Sequence, residues 1–416
     1  MNPSEQAVSG PGSTPGHRPD PWRPGTLQLG SGLPLSLYVH LPWCLRKCPY
    51  CDFNSHEAGA GLDRAVQARY LAALRADLEA ALPQVWGRRV GTVFLGGGTP
   101  SLFDPDAIGE LIGDIRARLP LLPACEMTLE ANPGTFERDR FRAFRDAGVT
   151  RLSVGVQSFD DAALAALGRV HDGAQARAAV EEAARVFDTF NLDLMYALPG
   201  QDLAALDRDL DIALDLRPPH LSIYHLTLEP NTLFARRPPA GLPDEDLSAL
   251  MLDRIVERAA AAGLARYEVS AFAAEGHRCR HNLNYWQFGD YLGIGAGAHA
   301  KLSFAHHVQR QVRWREPQRY VEQALAGQAA SNVNEIERSA LPFEFMLNAL
   351  RLRDGFTLDL FRERTGLPLS AIEPALAQAE ARGLIERSLD GIRPSALGFD
   401  FLSDLQQFFL PAAPRR

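Results

Sequence analysis

Lysine is almost absent from this chain of 416 residues: Lys47 and Lys301 are the only two, and every other basic residue is arginine. A GC-rich genome produces that bias, and no mechanism is read from it. Positive charge is also outnumbered, 43 Lys plus Arg against 51 Asp plus Glu, which leaves a formal net charge of -8. An acidic surface does not attract a phosphate backbone, so nucleic acid is not an expected partner. No apolar run of 18 residues is present, and the first 30 residues lack the short apolar core of a secretory signal. A cytoplasmic protein is expected. Cysteines number five, and three of them, Cys44, Cys48 and Cys51, fall within eight residues. That is not a disulfide framework.

The length suits one large domain plus a smaller one, and 46% apolar content is enough for a real core. Residues 1–34 hold seven prolines and six glycines with no periodic apolar pattern, and are read as a flexible tail. From Leu35 onward strand-like runs alternate with helical stretches: LSLYVHL, a helix over 63–82, TVFLGGG, a helix over 105–119, EMTLEAN, RLSVGVQSF, a helix over 174–187, FNLDLMYALPG, a helix over 201–215, and HLSIYHLTLEP. Six such units predict an α/β fold with a parallel sheet, doubly wound or curled into a barrel. RYEVSAFA and DYLGIGAGAHAKL add strand material, with a polar loop between them carrying His277, Cys279 and His281. Residues 35–302 form the core on this reading and 303–338 a connecting segment. Residues 339–416 form a small helical, winged-helix-like module of three or four helices and a hairpin, LIERSLDGIRPS. Nine Arg against ten Asp plus Glu in 340–416 give that module no positive face, so it is expected to pack on the core, not on DNA.

Ligands of α/β folds collect at the strand ends, and chemistry is concentrated there in this chain. YVHLPWCLRKCPYC sets three thiols at C-x3-C-x2-C spacing directly after the first strand. Three cysteines on a four-iron cluster leave one iron open to a chelating ligand, whereas a closed site needs a fourth protein ligand. A Cys3His zinc knuckle completed by His40 or His56 is the alternative. TVFLGGGTP lets a backbone approach a ligand closely, or makes a tight turn. Glu130, Gln157 and Asp193 each end a strand with a polar side chain inside an apolar run, where a bound nucleoside would satisfy them. Arg169 is placed to meet a carboxylate or to cap a helix end.

The cysteine spacing followed by these strand ends resembles the radical S-adenosylmethionine superfamily, which implies a partial (β/α)6 barrel, a [4Fe-4S] cluster with one open iron, and S-adenosylmethionine chelated to that iron. Further segments, YVHLPWCLRKCPYCDFNSH, LGGGTPSLF, LEANPGTF, DLMYALPGQ, LSIYHLTLEP and HNLNYWQFGDYLGIGAGAH, resemble the oxygen-independent coproporphyrinogen III oxidase group over residues 35–302, and the C-terminal module is expected of that group. By that resemblance Tyr38, Tyr50, Gly97, Gly98, Thr99, Glu130, Gln157, Arg169 and Asp193 fall where the oxidases bind S-adenosylmethionine. Thr227 and His299 fall at two further such positions.

One position departs from the oxidases. They carry another cysteine two residues after the third, and Phe53 stands there in this chain. With HNLNYW, that departure is similar to the HemW branch, the radical S-adenosylmethionine haem chaperones. The resemblance implies that the chain binds cluster, S-adenosylmethionine and haem, takes an electron from a donor, and delivers haem to an apoprotein such as a membrane haem enzyme. His281 is the expected axial ligand, flanked by Tyr285 and Trp286; Cys279 is its local rival, and His225 and His299 are weaker candidates. Coproporphyrinogen oxidation is not expected. The remaining alternatives are that oxidase activity and a haem or redox sensor.

Overall fold

The computed structural model describes residues 27, 29, 30, 32–58, 62–134 and 138–411. Most of the proline- and glycine-rich stretch read as a flexible tail lies outside the described residues. Leu27 and Leu29 do not belong to such a tail: both are buried, and Leu29 N donates to Ala305 O at 3.1 Å.

Six strands follow the sequence order across one sheet, each parallel to the next: β1 (Leu35–Leu41), β2 (Val90–Gly97), β3 (Leu121–Ala131), β4 (Arg151–Gln157), β5 (Phe190–Tyr196) and β6 (His220–His225). β1 and β5 are buried on both faces, which is why they read as unbroken apolar runs. The returns between strands are helices, chiefly Arg64–Ala81, Pro105–Arg118, Gly173–Val186 and Leu203–Asp215. Asp63, Asp172 and Asp202 each accept from a main-chain N–H of the first turn, fixing where three of these helices begin.

The sheet stays open and grows at both edges. Beyond β6 lie β8 (Ala271–Ala273) and then β7 (Ala265–Arg266), both antiparallel. On the other side of β1, β9 (Asp290–Ile294) pairs in parallel, and β10 (His299–Ser303), β11 (Val308–Arg313) and β12 (Ala330–Glu335) continue antiparallel. The expected partial (β/α)6 barrel with added strands is therefore present. Residues 303–338, read as a connecting segment, hold β11, β12 and the helix Pro317–Leu325, whose Tyr320 ring lies 5.5 Å from that of Tyr70.

The C-terminal module has its own apolar core, with Phe345, Phe361, Leu376 and Ile392 fully or nearly buried. Its hairpin pairs Ile385–Arg387 with Gly391–Pro394, as LIERSLDGIRPS suggested. The module packs on the core: the Phe288 and Phe345 rings are 5.9 Å apart, and the Arg351 guanidinium lies 4.2 Å from the Trp286 ring. Among the described residues no helix is long and apolar enough to cross a membrane.

Candidate functional site

The three clustered cysteines sit on a loop whose start is fixed by the end of β2. Gly98 N donates to Leu41 O at 2.9 Å and Thr99 N to Trp43 O at 2.7 Å. A Cβ on Gly97 would lie 2.5 Å from the His40 ring, and one on Gly98 would lie 2.5 Å from Trp43 O. Only glycine permits that approach, so this motif both holds the cysteine loop and keeps a bare backbone toward the cavity. The far end of the loop is tied down by Lys47 Nζ, which donates to Phe53 O at 3.2 Å and Ser55 O at 3.3 Å.

Cys44, Cys48 and Cys51 are free, half-buried thiols on one cavity of about 420 Å³. Each faces a polar neighbour. Thr99 Oγ1 donates to Cys44 Sγ at 3.5 Å, an Arg169 amino group donates to Cys48 Sγ at 3.6 Å, and Ser55 Oγ lies 4.0 Å from Cys51 Sγ. Burial pushes the Cys44 and Cys51 thiols up. Both ring nitrogens of His40 are engaged, by Tyr38 OH at 3.0 Å and Asn54 O at 2.9 Å, and His56 Nε2 lies 3.3 Å from Asn54 Oδ1. Among the described residues no His, Cys, Asp or Glu group converges as ligands of a single metal ion.

Nine of the eleven residues matched to S-adenosylmethionine positions line the cysteine cavity: Tyr50, Gly97, Gly98, Thr99, Glu130, Gln157, Arg169, Asp193 and Thr227. Gly97, Glu130, Gln157 and Thr227 stand at or just beyond the ends of β2, β3, β4 and β6, which is how a parallel sheet gathers distant side chains at one rim. Tyr50 comes from the cysteine loop, Arg169 from beyond the helix Asp161–Ala166, and Asp193 from the middle of β5 and not from its end. Gln157 ends β4 with φ of 69°, a left-handed conformation that is unusual outside glycine and is concentrated at working sites. The other two, Tyr38 and His299, face a neighbouring cavity of about 490 Å³, which shares Asp52, Phe53, Gly97 and Glu130 with the first.

The charges are arranged as opposites. Burial, then the nearby Asp193, push the Glu130 carboxyl up to about 7, although Gly97 N donates to it at 3.0 Å. Burial also raises Asp193, which Ser153 Oγ at 2.9 Å and Asn191 Nδ2 at 2.9 Å partly offset. Arg169 is held by Asn132 Oδ1 at 2.6 Å and Gly155 O at 2.8 Å, while its Nε is buried with no hydrogen-bond partner. Three thiols fit three irons of a four-iron cluster. A guanidinium with a spare N–H fits the carboxylate of a chelating amino acid, and two buried carboxyls fit ribose hydroxyls and a cationic centre.

Sequence reasoning passed over Asn132, which donates to Thr99 Oγ1 at 2.9 Å, and Ser153, which donates to Asp193. Asn132 stands two residues after Glu130 at the end of β3, and the period of two along a strand is the signal that would have found it.

HNLNYW is not a polar loop. It forms the helix Arg280–Trp286, closing the barrel beside Ser36, Thr92 and Glu126, in the first parts of their strands and away from the cysteine loop. His281 is 1% exposed, with Nδ1 at 2.9 Å from Thr92 Oγ1 and the ring 5.0 Å from each of Phe94 and Tyr285. Burial draws its pKa down to about 3, and Nε2 has no hydrogen-bond partner. Cys279 is buried as well, its thiol pushed up to about 12 by burial first and then by Glu126. Both side chains are enclosed, against the expectation of an open polar loop. His225 lies exposed on the cysteine cavity, and Cys125 lies apart from it, its thiol contacting Glu126 O at 3.8 Å.

Comparison with known proteins agrees with this geometry. Residues 38–213 match the Radical SAM superfamily, and residues 336–401 match the HemN C-terminal domain. The heme chaperone HemW of Escherichia coli (strain K12) is 44% identical over 379 residues, covering 91% of this chain and 98% of that protein. The heme chaperone HemW of Haemophilus influenzae is 42% identical over 380 residues, with the same coverage of 91% and 98%. Among solved structures, coproporphyrinogen III oxidase (HemN) from Escherichia coli, a radical SAM enzyme, superposes with a TM-score of 0.77 at 23% identity, covering 91% of this chain and 90% of that one, and so shares the fold. The chain belongs to the HemW heme chaperone family of the radical SAM superfamily.

Proposed function

We propose that this protein holds a [4Fe-4S] cluster on Cys44, Cys48 and Cys51, binds S-adenosylmethionine in the adjoining cavity, and carries haem in the cytoplasm to an apoprotein. The observation that carries the reading is Phe53, 60% exposed on the wall common to both cavities. The coproporphyrinogen oxidases this chain resembles place a further cysteine there. A phenyl ring has no redox or ligand chemistry, and offers instead a flat apolar face to a macrocycle.

When bound, the cluster supplies one-electron chemistry and an open iron. The residues around it do the rest. Thr99 and Arg169 donate to cysteine sulfurs and Ser55 Oγ lies near a third, which would favour a reduced, more negative cluster. Arg169 receives the ligand carboxylate through its free Nε, Gly97 and Gly98 present main-chain groups, and Glu130, Gln157 and Asp193 hold the nucleoside, with Tyr50 and Thr227 on the walls. All five cysteines are unpaired thiols, as a reducing compartment keeps them.

The test is haem transfer from the anaerobically reconstituted protein to an apo haem protein, followed by absorbance, beside an assay for protoporphyrinogen formation from coproporphyrinogen III. Transfer without decarboxylation is expected. Sustained decarboxylation above that of a chain lacking the three cysteines would place the protein among the oxidases.

A further inference from the structure

We infer that haem is taken up in the second cavity, with the His299 imidazole as its axial ligand and Arg315 on a propionate. This rests on the haem-carrier reading above and assigns it a place. The cavity walls include four aromatic rings, Tyr38, Phe53, Tyr285 and Tyr291. A porphyrin needs flat apolar walls, a nitrogen ligand for iron and a cation for its carboxylate arms. His299 and Arg315 supply the last two: both are exposed on this cavity, and among the described residues the imidazole has no hydrogen bond and the guanidinium no ion pair.

The other histidines argue the same way by their engagements. His40 and His220 use both ring nitrogens, His171 is buried against Val156 O, and His277 and His306 bond through Nδ1 to Thr189 and Leu27 O. His281 is enclosed. Among the described residues only His225 and His299 combine exposure, a cavity wall and unbonded ring nitrogens, and of the two it is His299 that shares its wall with four aromatic rings and Arg315.

The position of His299 is fixed by backbone. A Cβ on Gly293 would lie 1.9 Å from His299 O, so β9 grips the start of β10 at a site only glycine allows. Asn54 Nδ2 donates to Ala296 O at 2.9 Å and Arg315 O at 2.8 Å, which ties Arg315 and the turn that precedes His299 to the segment just after Cys51. HNLNYW then acts through its tyrosine. Tyr285 stands on the cavity wall 4.4 Å from the Tyr291 ring, and His281 behind it packs edge-on, so His281 is a positioning residue and not the ligand.

The experiment is anaerobic haem titration of the full chain carrying its cluster, read by the Soret band, with iron, sulfide and S-adenosylmethionine binding measured in parallel. His299→Gly is expected to shift the Soret band and weaken haem binding by roughly tenfold or more, with cluster content unchanged. Added imidazole should restore the band, which a merely structural loss would not allow. Arg315→Ala should weaken haem binding without moving the band. His225→Ala and His281→Ala should keep the wild-type band position. The inference is overturned if His299→Gly keeps the wild-type band and affinity, if His281→Ala alone moves the band, or if His299→Gly loses one of two bound S-adenosylmethionine molecules while haem is unaffected. A wild-type chain that binds no haem contradicts the carrier reading itself, a different failure.

Discussion

The guanidinium of Arg169 stands 3.6 Å from Cys48 Sγ and donates to Asn132 and Gly155 on its other side. One side chain thus joins Cys48 to β4 and to the residue just after β3, beside Glu130 and Gln157. On the proposed reading cluster and cavity are one unit, and substitutions on either side should be felt on the other.

Arg169→Gln removes a charged donor to a cluster sulfur. A hydrogen bond to a charged group contributes about 1.5–3 kcal/mol, and about 59 mV corresponds to a tenfold change for one electron, so losing the whole bond should lower the reduction potential by roughly 65–130 mV. Redox titration followed by electron paramagnetic resonance measures it, and S-adenosylmethionine affinity should fall in the same variant. An unchanged potential would separate Arg169 from the cluster.

Ligand count predicts the outcome of cysteine substitution. Cys44→Ala, Cys48→Ala or Cys51→Ala should each abolish the stable four-iron cluster, because two thiolates do not hold four irons firmly. Cys125→Ala and Cys279→Ala should keep near-equal iron and labile sulfide, since neither thiol faces the cavity. Chemical analysis of iron and sulfide after anaerobic reconstitution checks both sets.

Lys301, one of two lysines, is buried beside Asp290 at 2.9 Å and also donates to Phe288 O. Burial alone would raise the Asp290 carboxyl, but Lys301 and Arg88 overcome it and hold the group below its usual range. A depressed carboxyl stabilises the fold at neutral pH, and that contribution is lost as pH falls below about 4 through the folded value. Lys301→Ala leaves a buried charge short of a partner and should cost about 3–5 kcal/mol at pH 7, with a smaller deficit near pH 3. Urea midpoints at the two pH values measure this.

Much of the site was legible because its signals are local. The C-x3-C-x2-C spacing, the GGGTP turn and polar residues closing apolar strands each declare a strand end in a few residues. The HNLNYW helix was not legible in that way. Its polar residues find partners far off in sequence, His281 on Thr92 and Asn284 on Ser36, so polarity that reads locally as loop is satisfied by tertiary contact. β11 was hidden for the same reason: Gln309, Gln311 and Arg313 face inward, and Asp77 and Gln84 meet Arg313 and Gln311. A strand whose buried side is polar has no hydrophobic period to detect.

The proposed centre is a three-cysteine cluster whose fourth iron is open to the neighbouring cavity. Electron paramagnetic resonance of the anaerobically reconstituted, dithionite-reduced protein, recorded with and without S-adenosylmethionine, tests it most directly. The account predicts a four-iron signal whose g-values shift when S-adenosylmethionine is added, and no such signal in Cys48→Ala. A protein that holds one zinc per chain and no labile sulfide, or a cluster signal indifferent to S-adenosylmethionine, would contradict it.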